Sequence, residues 1–207
     1  TYYPYKLADK QIICDTIVTV AGHYDPRMAV KLATVDDPTY DNIDNIALIK
    51  KRKYYGGSFT GTTGPIGTAP SLYGRNVTSS TIIDGKGRWL FRDDAPYILM
   101  TCAEIKFCLA EAYWKLGMKA EAFEAFKAGV KADLDFTGNY IFAGTKGQAV
   151  GGDKITKPVY TSAAAEYLAG PYVNALPLAD FSLSHIMMQK WNALYPWGGM
   201  EVWVDMR

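Results

Sequence analysis

The sequence has few cysteines and histidines, the residues that most often mark metal sites, redox sites and proton transfer. Its three cysteines, Cys14, Cys102 and Cys108, form no C-x-x-C pair, so their spacing predicts neither a zinc site nor a redox site. Cys102 and Cys108 fall in an apolar helical stretch, which favours buried, unreacted thiols. The two histidines, His23 and His185, lie outside any H-E-x-x-H or catalytic-triad spacing. No motif therefore supports catalysis, and we predict no metal site.

The chain also has almost no net charge, because 22 basic residues are offset by 21 acidic ones and leave a formal net charge of +1. Such a surface produces no broad positive field, so no nucleic-acid partner is expected. The longest apolar stretch, residues 95–116, contains Glu104, Lys106 and Glu111, which would be costly at the centre of a bilayer. We therefore predict no membrane-spanning helix.

Aromatic residues and glycines, by contrast, are plentiful. Aromatic side chains make up 14% of the chain, and amphipathic rings suit surfaces that surround polar ligands. Residues 55–74 are rich in Gly, Thr, Pro and Ser and too poor in large apolar residues for a core, which predicts a long surface loop. Long loops on a rigid scaffold often carry binding residues. The candidate ligand-binding residues are the aromatics in and around this loop: Tyr54, Tyr55, Phe59, Tyr73 and Trp89.

An acidic, asparagine-containing stretch between residues 36 and 45 offers oxygen ligands for a hard cation. Its members are Asp36, Asp37, Asp41, Asn42, Asp44 and Asn45. The stretch lacks the spaced glycine and the terminal glutamate of an EF-hand loop, which favours a solvated turn. We predict no cofactor and keep calcium binding as an alternative.

Apolar residues recur at alternating steps of four and three after Pro96, which predicts a helix that packs between neighbours on two sides. The first apolar stripe consists of Ile98, Cys102, Ile105, Leu109, Ala112 and Leu116. The second consists of Leu99, Ala103, Phe107, Ala110 and Trp114. Gly117 is expected to end this helix in a left-handed conformation, and Lys119–Leu134 to form a second, antiparallel helix. The helical hairpin thus covers residues 96–135.

The remaining segments are less regular. Residues 1–95 and 136–181 are predicted to be loop-rich, with a short helix in the second segment over Ser162–Ala169. Ser182 or Ser184 could cap a further helix, which Pro196 and Gly198 end before a last helix begins near Glu201. Residues 182–207 therefore form the C-terminal helices. We interpret residues 1–207 as a single domain that is mainly α, a fragment of a longer chain.

The helical hairpin is similar to a tetratricopeptide unit. Ala112 and Tyr113 on the first helix, the Leu116-Gly117 turn, and Ala122 and Phe126 on the second helix follow that pattern. One unit cannot bury its own faces, and no second copy follows at the expected period of about 34 residues. We expect a tetratricopeptide-like helical scaffold with long irregular loop insertions, whose other units have diverged or lie outside this fragment.

Two separated segments resemble the SusD/RagB family, in its SusD-like branch. Residues 95–113, APYILMTCAEIKFCLAEAY, resemble the family helix with a threonine, an Ala-Glu pair and a later Ala-Glu-Ala. Residues 186–195, IMMQKWNALY, followed by EVWVDMR at 201–207, resemble its Gln-Lys-Trp helix and the Glu-x-Trp-x-Asp-x-Arg continuation. The motif residues, which we interpret as structural, are Glu104, Glu111, Gln189, Lys190, Trp191, Glu201, Trp203 and Arg207.

The resemblance implies a non-catalytic lipoprotein on the bacterial outer membrane, exposed at the cell surface. It would bind an oligosaccharide or peptide nutrient and deliver it to a SusC-like TonB-dependent transporter barrel. Its lipid anchor is expected upstream, because the residues before Cys14 do not fit a lipid-attachment site. The alternative is a helical-repeat adaptor for other proteins, with further repeats flanking this fragment and no barrel partner.

The carboxylates of Glu104 and Glu111 lie on the same side of the predicted helix, which raises the question of a catalytic pair. Seven residues separate them by about 10.5 Å along the axis, too far for a retaining glycosidase. We therefore expect them to pair with neighbouring helices, with Lys190 and Arg207 as candidate partners for the motif.

Overall fold

The computed structural model describes residues 25–31, 42–43, 90, 97–142, 154–155, 157–195 and 197–205. These residues are largely helical, which confirms the mainly α prediction. The elements are α1 (Arg27–Lys31), β1 (Asn42–Ile43), α2 (Cys102–Lys115), α3 (Lys119–Phe142), β2 (Lys154–Ile155), α4 (Lys157–Ala169), α5 (Leu183–Leu194) and α6 (Gly199–Asp205).

The chain divides into two compact units. One comprises residues 1–96 and 137–167, and the other, which we call the C-terminal unit, comprises residues 97–136 and 168–207. The interpretation of residues 1–207 as one domain stays a prediction.

In the first unit, the structure describes a short parallel strand pair and a buried ion pair. β1 pairs with β2 so that Ile43 lies opposite Ile155. The Arg27 guanidinium donates to both carboxylate oxygens of Asp25, at 2.9 Å from Nε to Oδ1 and 2.5 Å from Nη2 to Oδ2. It also lies 5.5 Å from the ring centre of Tyr167 on α4. This bidentate geometry satisfies a buried charge that would otherwise be costly.

Helix α2 begins at Cys102 because Thr101 caps it. Thr101 is extended, and its hydroxyl accepts a hydrogen bond from the backbone N–H of Glu104 at 3.1 Å. This satisfies one of the N–H groups that a helix start leaves open. The apolar pattern extended the helix back to Pro96, but residues 97–100 lie outside it, and Tyr97 is 89% exposed.

The turn that ends α2 agrees with the sequence prediction. Gly117 has a φ of +76°, which only glycine adopts without strain. Its N–H donates to the Trp114 carbonyl at 3.0 Å, and the N–H of Met118 donates to the Tyr113 carbonyl at 2.9 Å. These two bonds form a Schellman motif, which satisfies carbonyls at the helix end and turns the chain into α3.

Helices α2 and α3 form an antiparallel hairpin, since a short turn joins them and their middle residues meet. The ring of Phe107 lies 6.4 Å from that of Phe126, measured between centroids. A Cβ on Gly129 would lie 2.8 Å from the Phe107 ring, so the helices approach this closely only because residue 129 is glycine. α3 continues to Phe142, beyond the predicted end at Leu134.

The buried face of α2 is the second apolar stripe and not the first. Ala103, Phe107 and Ala110 are buried, whereas Ile105 is 53% and Leu116 is 73% exposed. Cys102 and Cys108 are also exposed, so the prediction of buried thiols is wrong for both. Both stripes are apolar, and the buried one carries the aromatic ring that fits against Gly129.

The core of the C-terminal unit is a cluster of aromatic rings around Phe181, which is fully buried. Phe181 contacts Trp114 of α2 at 5.5 Å and Phe123 and Phe126 of α3 at 4.8 and 5.2 Å, measured between ring centroids. Burying one such ring contributes about 1.5–3 kcal/mol. The predicted loop-rich segment 136–181 thus contributes a residue to the core, just before α5 begins. The same segment contains all of α4, which starts at Lys157, before the predicted Ser162.

Candidate functional site

The family segments on α2, α5 and α6 meet in the C-terminal unit, through one residue of each. α5 packs against α2, and α6 packs against α5. The three helices are tied by the side chains of Glu111, Lys190 and Asp205, which we call the motif junction. Segments far apart in the sequence are therefore brought together in one structure.

Lys190 is the centre of the motif junction. Its side chain is only 4% exposed, and its ammonium donates hydrogen bonds to Asp205 and, at 3.5 Å, to Glu111. The other oxygen of Glu111 lies 2.6 Å from the exposed ammonium of Lys115, one turn further along α2. The contact between Glu111 and Lys190 that the sequence led us to expect is present, although Asp205 is the nearer partner.

The charge on Lys190 is maintained by its partners. Burial by itself would lower the pKa of Lys190, but the hydrogen bond to Asp205 and the negative charges of Asp205 and Glu111 outweigh burial, so the pKa is raised. The pKa of Lys115 is also raised, by its hydrogen bond to Glu111. Lys190 therefore keeps its positive charge at neutral pH although it is buried, which suits a structural role.

Helix α5 is capped by Ser182, one of the two caps that the sequence suggested. The backbone N–H of Ser182 donates to Nδ1 of His185 at 3.2 Å, and the Ser182 hydroxyl lies 2.9 Å from the same nitrogen. A ring nitrogen that accepts a backbone N–H carries no proton of its own. The pKa of His185 is lowered because the half-buried ring is desolvated.

The other motif residues differ in their surroundings. Gln189 is buried, Trp191 is half-buried with its ring 4.9 Å from that of Tyr195, and Glu201 is exposed. The backbone of Trp203 belongs to α6. Arg207 lies outside the described residues, so the predicted pairing of Arg207 stays a prediction. The structural role assigned to this set also stays a prediction.

Glu104 and Trp197 each carry a buried polar atom with no hydrogen-bond partner. Within the part of the chain that the structure describes, Oε2 of Glu104 and Nε1 of Trp197 are both unsatisfied. The expected pairing of Glu104 with a neighbouring helix is therefore not observed for this oxygen.

Sequence reasoning missed two residues that matter in the C-terminal unit. Asp205 belongs to the quoted Glu-x-Trp-x-Asp-x-Arg segment but was not selected, although an acidic residue was needed beside a buried Lys190. The sequence did not identify Phe181 as a core residue, because a single aromatic residue outside a periodic apolar pattern does not predict burial. Only the fold shows that it fills the space between α2 and α3.

The candidate ligand-binding aromatics Tyr54, Tyr55, Phe59, Tyr73 and Trp89 lie outside the described residues. The acidic stretch does too, apart from Asn42, whose backbone belongs to β1. Across the described ranges, no three His, Cys, Asp or Glu side chains are grouped so that they could hold a metal ion. None of the helices described there is long and apolar enough to cross a membrane.

Comparison with known families matches almost the whole chain. A family model named SusD-like_2 and described as starch-binding associating with outer membrane matches residues 19–207. The match includes every residue of the motif junction. No curated protein and no solved structure matches the chain.

Proposed function

The chain belongs to the SusD-like family of starch-binding proteins that associate with the outer membrane, and we propose that it captures a nutrient oligosaccharide at the cell surface. The observation that carries this proposal is the family match over residues 19–207. The family's description favours a starch-type glucan as the first ligand to test, with a peptide as the second.

Proteins of this family bind their ligands and are not enzymes. We extend this to the present chain, which would retain the nutrient without transforming it. The candidate contacts are the aromatic side chains around the loop at residues 55–74, because flat rings pack well against sugar faces.

Delivery follows capture in our proposal. The chain would hand its ligand to a SusC-like TonB-dependent barrel in the outer membrane, to which it is held by a lipid anchor. Co-purification of a large outer-membrane barrel with the tagged, membrane-extracted protein would support this. Isolation of other helical-repeat partners with no barrel would favour the adaptor alternative instead.

Ligand retention should be tested first on soluble amylopectin by affinity gel electrophoresis, with maltoheptaose titrations for affinity. We expect the wild-type chain to be retarded by the polysaccharide. Replacing Tyr54 and Tyr55 together by Ala should weaken retention while leaving the melting curve unchanged. Tyr97→Ala is the matched control, because Tyr97 is exposed but outside the loop. Unaltered retention in the double variant would remove these two residues from the binding surface.

We further propose that binding needs no cofactor. Retention should then be the same in EDTA as in buffer without chelator. If EDTA reduces retention, added calcium restores it, and Asp41→Asn removes this dependence on calcium, the acidic stretch would instead be assigned a calcium site.

A further inference from the structure

The outer side of the α2–α3 hairpin carries an apolar groove of about 520 Å³. Leu109 and Tyr113 of α2 form one wall, and Ala120, Ala125 and Ala128 of α3 are among the residues that form the other side. Alanines leave room where bulky side chains would fill it. Beside the groove, the first apolar stripe of α2 continues along the surface, with Ile105 and Leu116 exposed at its two ends.

The dimensions of this surface match those of an α-helix. Ile105 and Leu116 are eleven residues apart on one helix, which corresponds to about 16 Å, or three turns of a partner. A helix that lies in such a groove inserts apolar side chains at every third or fourth position.

The two walls of the groove carry opposite charges. Lys106 lines it on the α2 side, and Glu121 and Glu124 line it on the α3 side. Glu124 bonds to Lys127 at 2.6 Å, whereas Lys106 and Glu121 form no ion pair with any residue of the described ranges. Two unpaired charges of opposite sign therefore flank an apolar floor.

We propose that this groove binds an amphipathic α-helix supplied by a partner protein. Its apolar stripe lies between Leu109 and Ala128, with an acidic flank facing Lys106 and a basic flank facing Glu121. The charge complementarity selects the partner's sequence and orientation, while the apolar contacts supply most of the affinity. This inference does not depend on nutrient capture, because none of the residues that line the groove belongs to the motif junction.

The test uses two labelled 18-residue synthetic helical peptides with the same Leu and Ala stripe, titrated against the 207-residue chain by fluorescence anisotropy at low salt. The mixed-flank peptide has Glu along one flank and Lys along the other. The double-Lys peptide has Lys on both flanks and Glu on its outer face. We expect the wild-type chain to bind the mixed-flank peptide about 3- to 10-fold more tightly, as for one or two partly exposed ion pairs.

Lys106→Glu should reverse this preference, since both walls then become acidic. Lys131→Glu is the matched control: it makes the same charge change on an exposed part of α3 that does not line the groove, and the preference should not change. Ala128→Trp, a substitution at an exposed helix position, should fill the groove and reduce the affinity for both peptides more than 10-fold.

Equal binding of the two peptides to wild type and Lys106→Glu, or full binding by Ala128→Trp, would overturn the proposal. Sedimentation of the chain alone provides a second readout. A dimer that Ala128→Trp dissociates would assign the groove to a second copy of the chain and contradict a partner helix. A monomer that binds the mixed-flank peptide supports the proposal.

Discussion

The two apolar stripes of α2 are alike in sequence and opposite in environment. The stripe of Ala103, Phe107 and Ala110 is buried, with Phe107 against α3, while the stripe of Ile105, Leu109 and Leu116 is exposed. The difference lies in shape, because Phe107 meets Gly129 across a very close helix contact. Hydrophobicity marks both stripes as able to pack, but complementary shape decides which one forms the core.

The largest loss of stability should come from truncating a side chain of the buried stripe. Phe107→Ala leaves a cavity beside Gly129 and removes the ring contact with Phe126, so the free energy of unfolding should fall by about 3–5 kcal/mol. Leu109→Ala on the exposed stripe is the control and should change it by less than about 1 kcal/mol. Denaturant unfolding of both variants measures the difference. Equal losses would show that the exposed stripe is also covered in solution.

The next contrast is between two lysines that contact the same carboxylate. Lys190→Ala removes a buried ammonium and leaves the carboxylates of Asp205 and Glu111 without this counter-charge. We expect the free energy of unfolding to fall by about 2 kcal/mol, less than for a fully buried pair, because Asp205 is partly exposed. Lys115→Ala removes only an exposed partner of Glu111, so its effect on the free energy of unfolding should be much smaller than that of Lys190→Ala. Thermal unfolding distinguishes the two. A Lys190 variant as stable as the Lys115 variant would contradict a stabilising role for the motif junction.

Gly117 tests a backbone effect that involves no packing. A Cβ there meets nothing within 4 Å, so Gly117→Ala should destabilise only through its positive φ, by about 1 kcal/mol. Gly117→Asn should cost less, because Asn tolerates the left-handed region better than Ala does. The midpoint of denaturant unfolding should therefore fall in the order wild type, Asn, Ala. No difference between Ala and wild type would show that the Schellman turn does not hold α2.

The smallest effect should be a pH dependence at the start of α5. The pKa of folded His185 is below the ordinary 6.5, so as the pH falls the unfolded chain takes up a proton first. The contribution of neutral His185 to stability is thus fully present above about pH 6.5 and is lost as the pH falls towards the folded pKa. His185→Gln keeps an acceptor for the Ser182 N–H but does not titrate. Its unfolding midpoint should change less than that of wild type between pH 7 and pH 5.5; identical slopes would remove His185 as the cause.

Local signals in the sequence predicted local structure well. Gly117 at the end of α2 and Ser182 at the start of α5 act through the backbone around them, so their positions carry over directly. The buried stripe of α2, the exposure of Cys102 and Cys108, and the core role of Phe181 depend on partners distant in sequence. Periodicity identifies a face that can pack but not the partner that covers it, which explains why these predictions failed or were not made.

The candidate site divides in the same way. The resemblance predicts that Glu111 and Lys190 lie close together, because both stand in motifs of one family. The structure places the Lys190 ammonium 3.5 Å from a carboxylate oxygen of Glu111. Asp205 was overlooked because the sequence does not show that Lys190 is buried and needs a close counter-charge. The ligand-binding role of the loop aromatics stays a prediction that only binding measurements address.

The most direct test of the central claim, a motif junction that stabilises the helices and takes no part in glucan binding, is affinity electrophoresis of Glu111→Ala in gels containing amylopectin. We predict that this variant melts at a lower temperature than wild type, yet migrates with the same retardation at a temperature where both are folded. Absence of retardation for wild type, or its loss in a fully folded Glu111→Ala variant, would contradict the account.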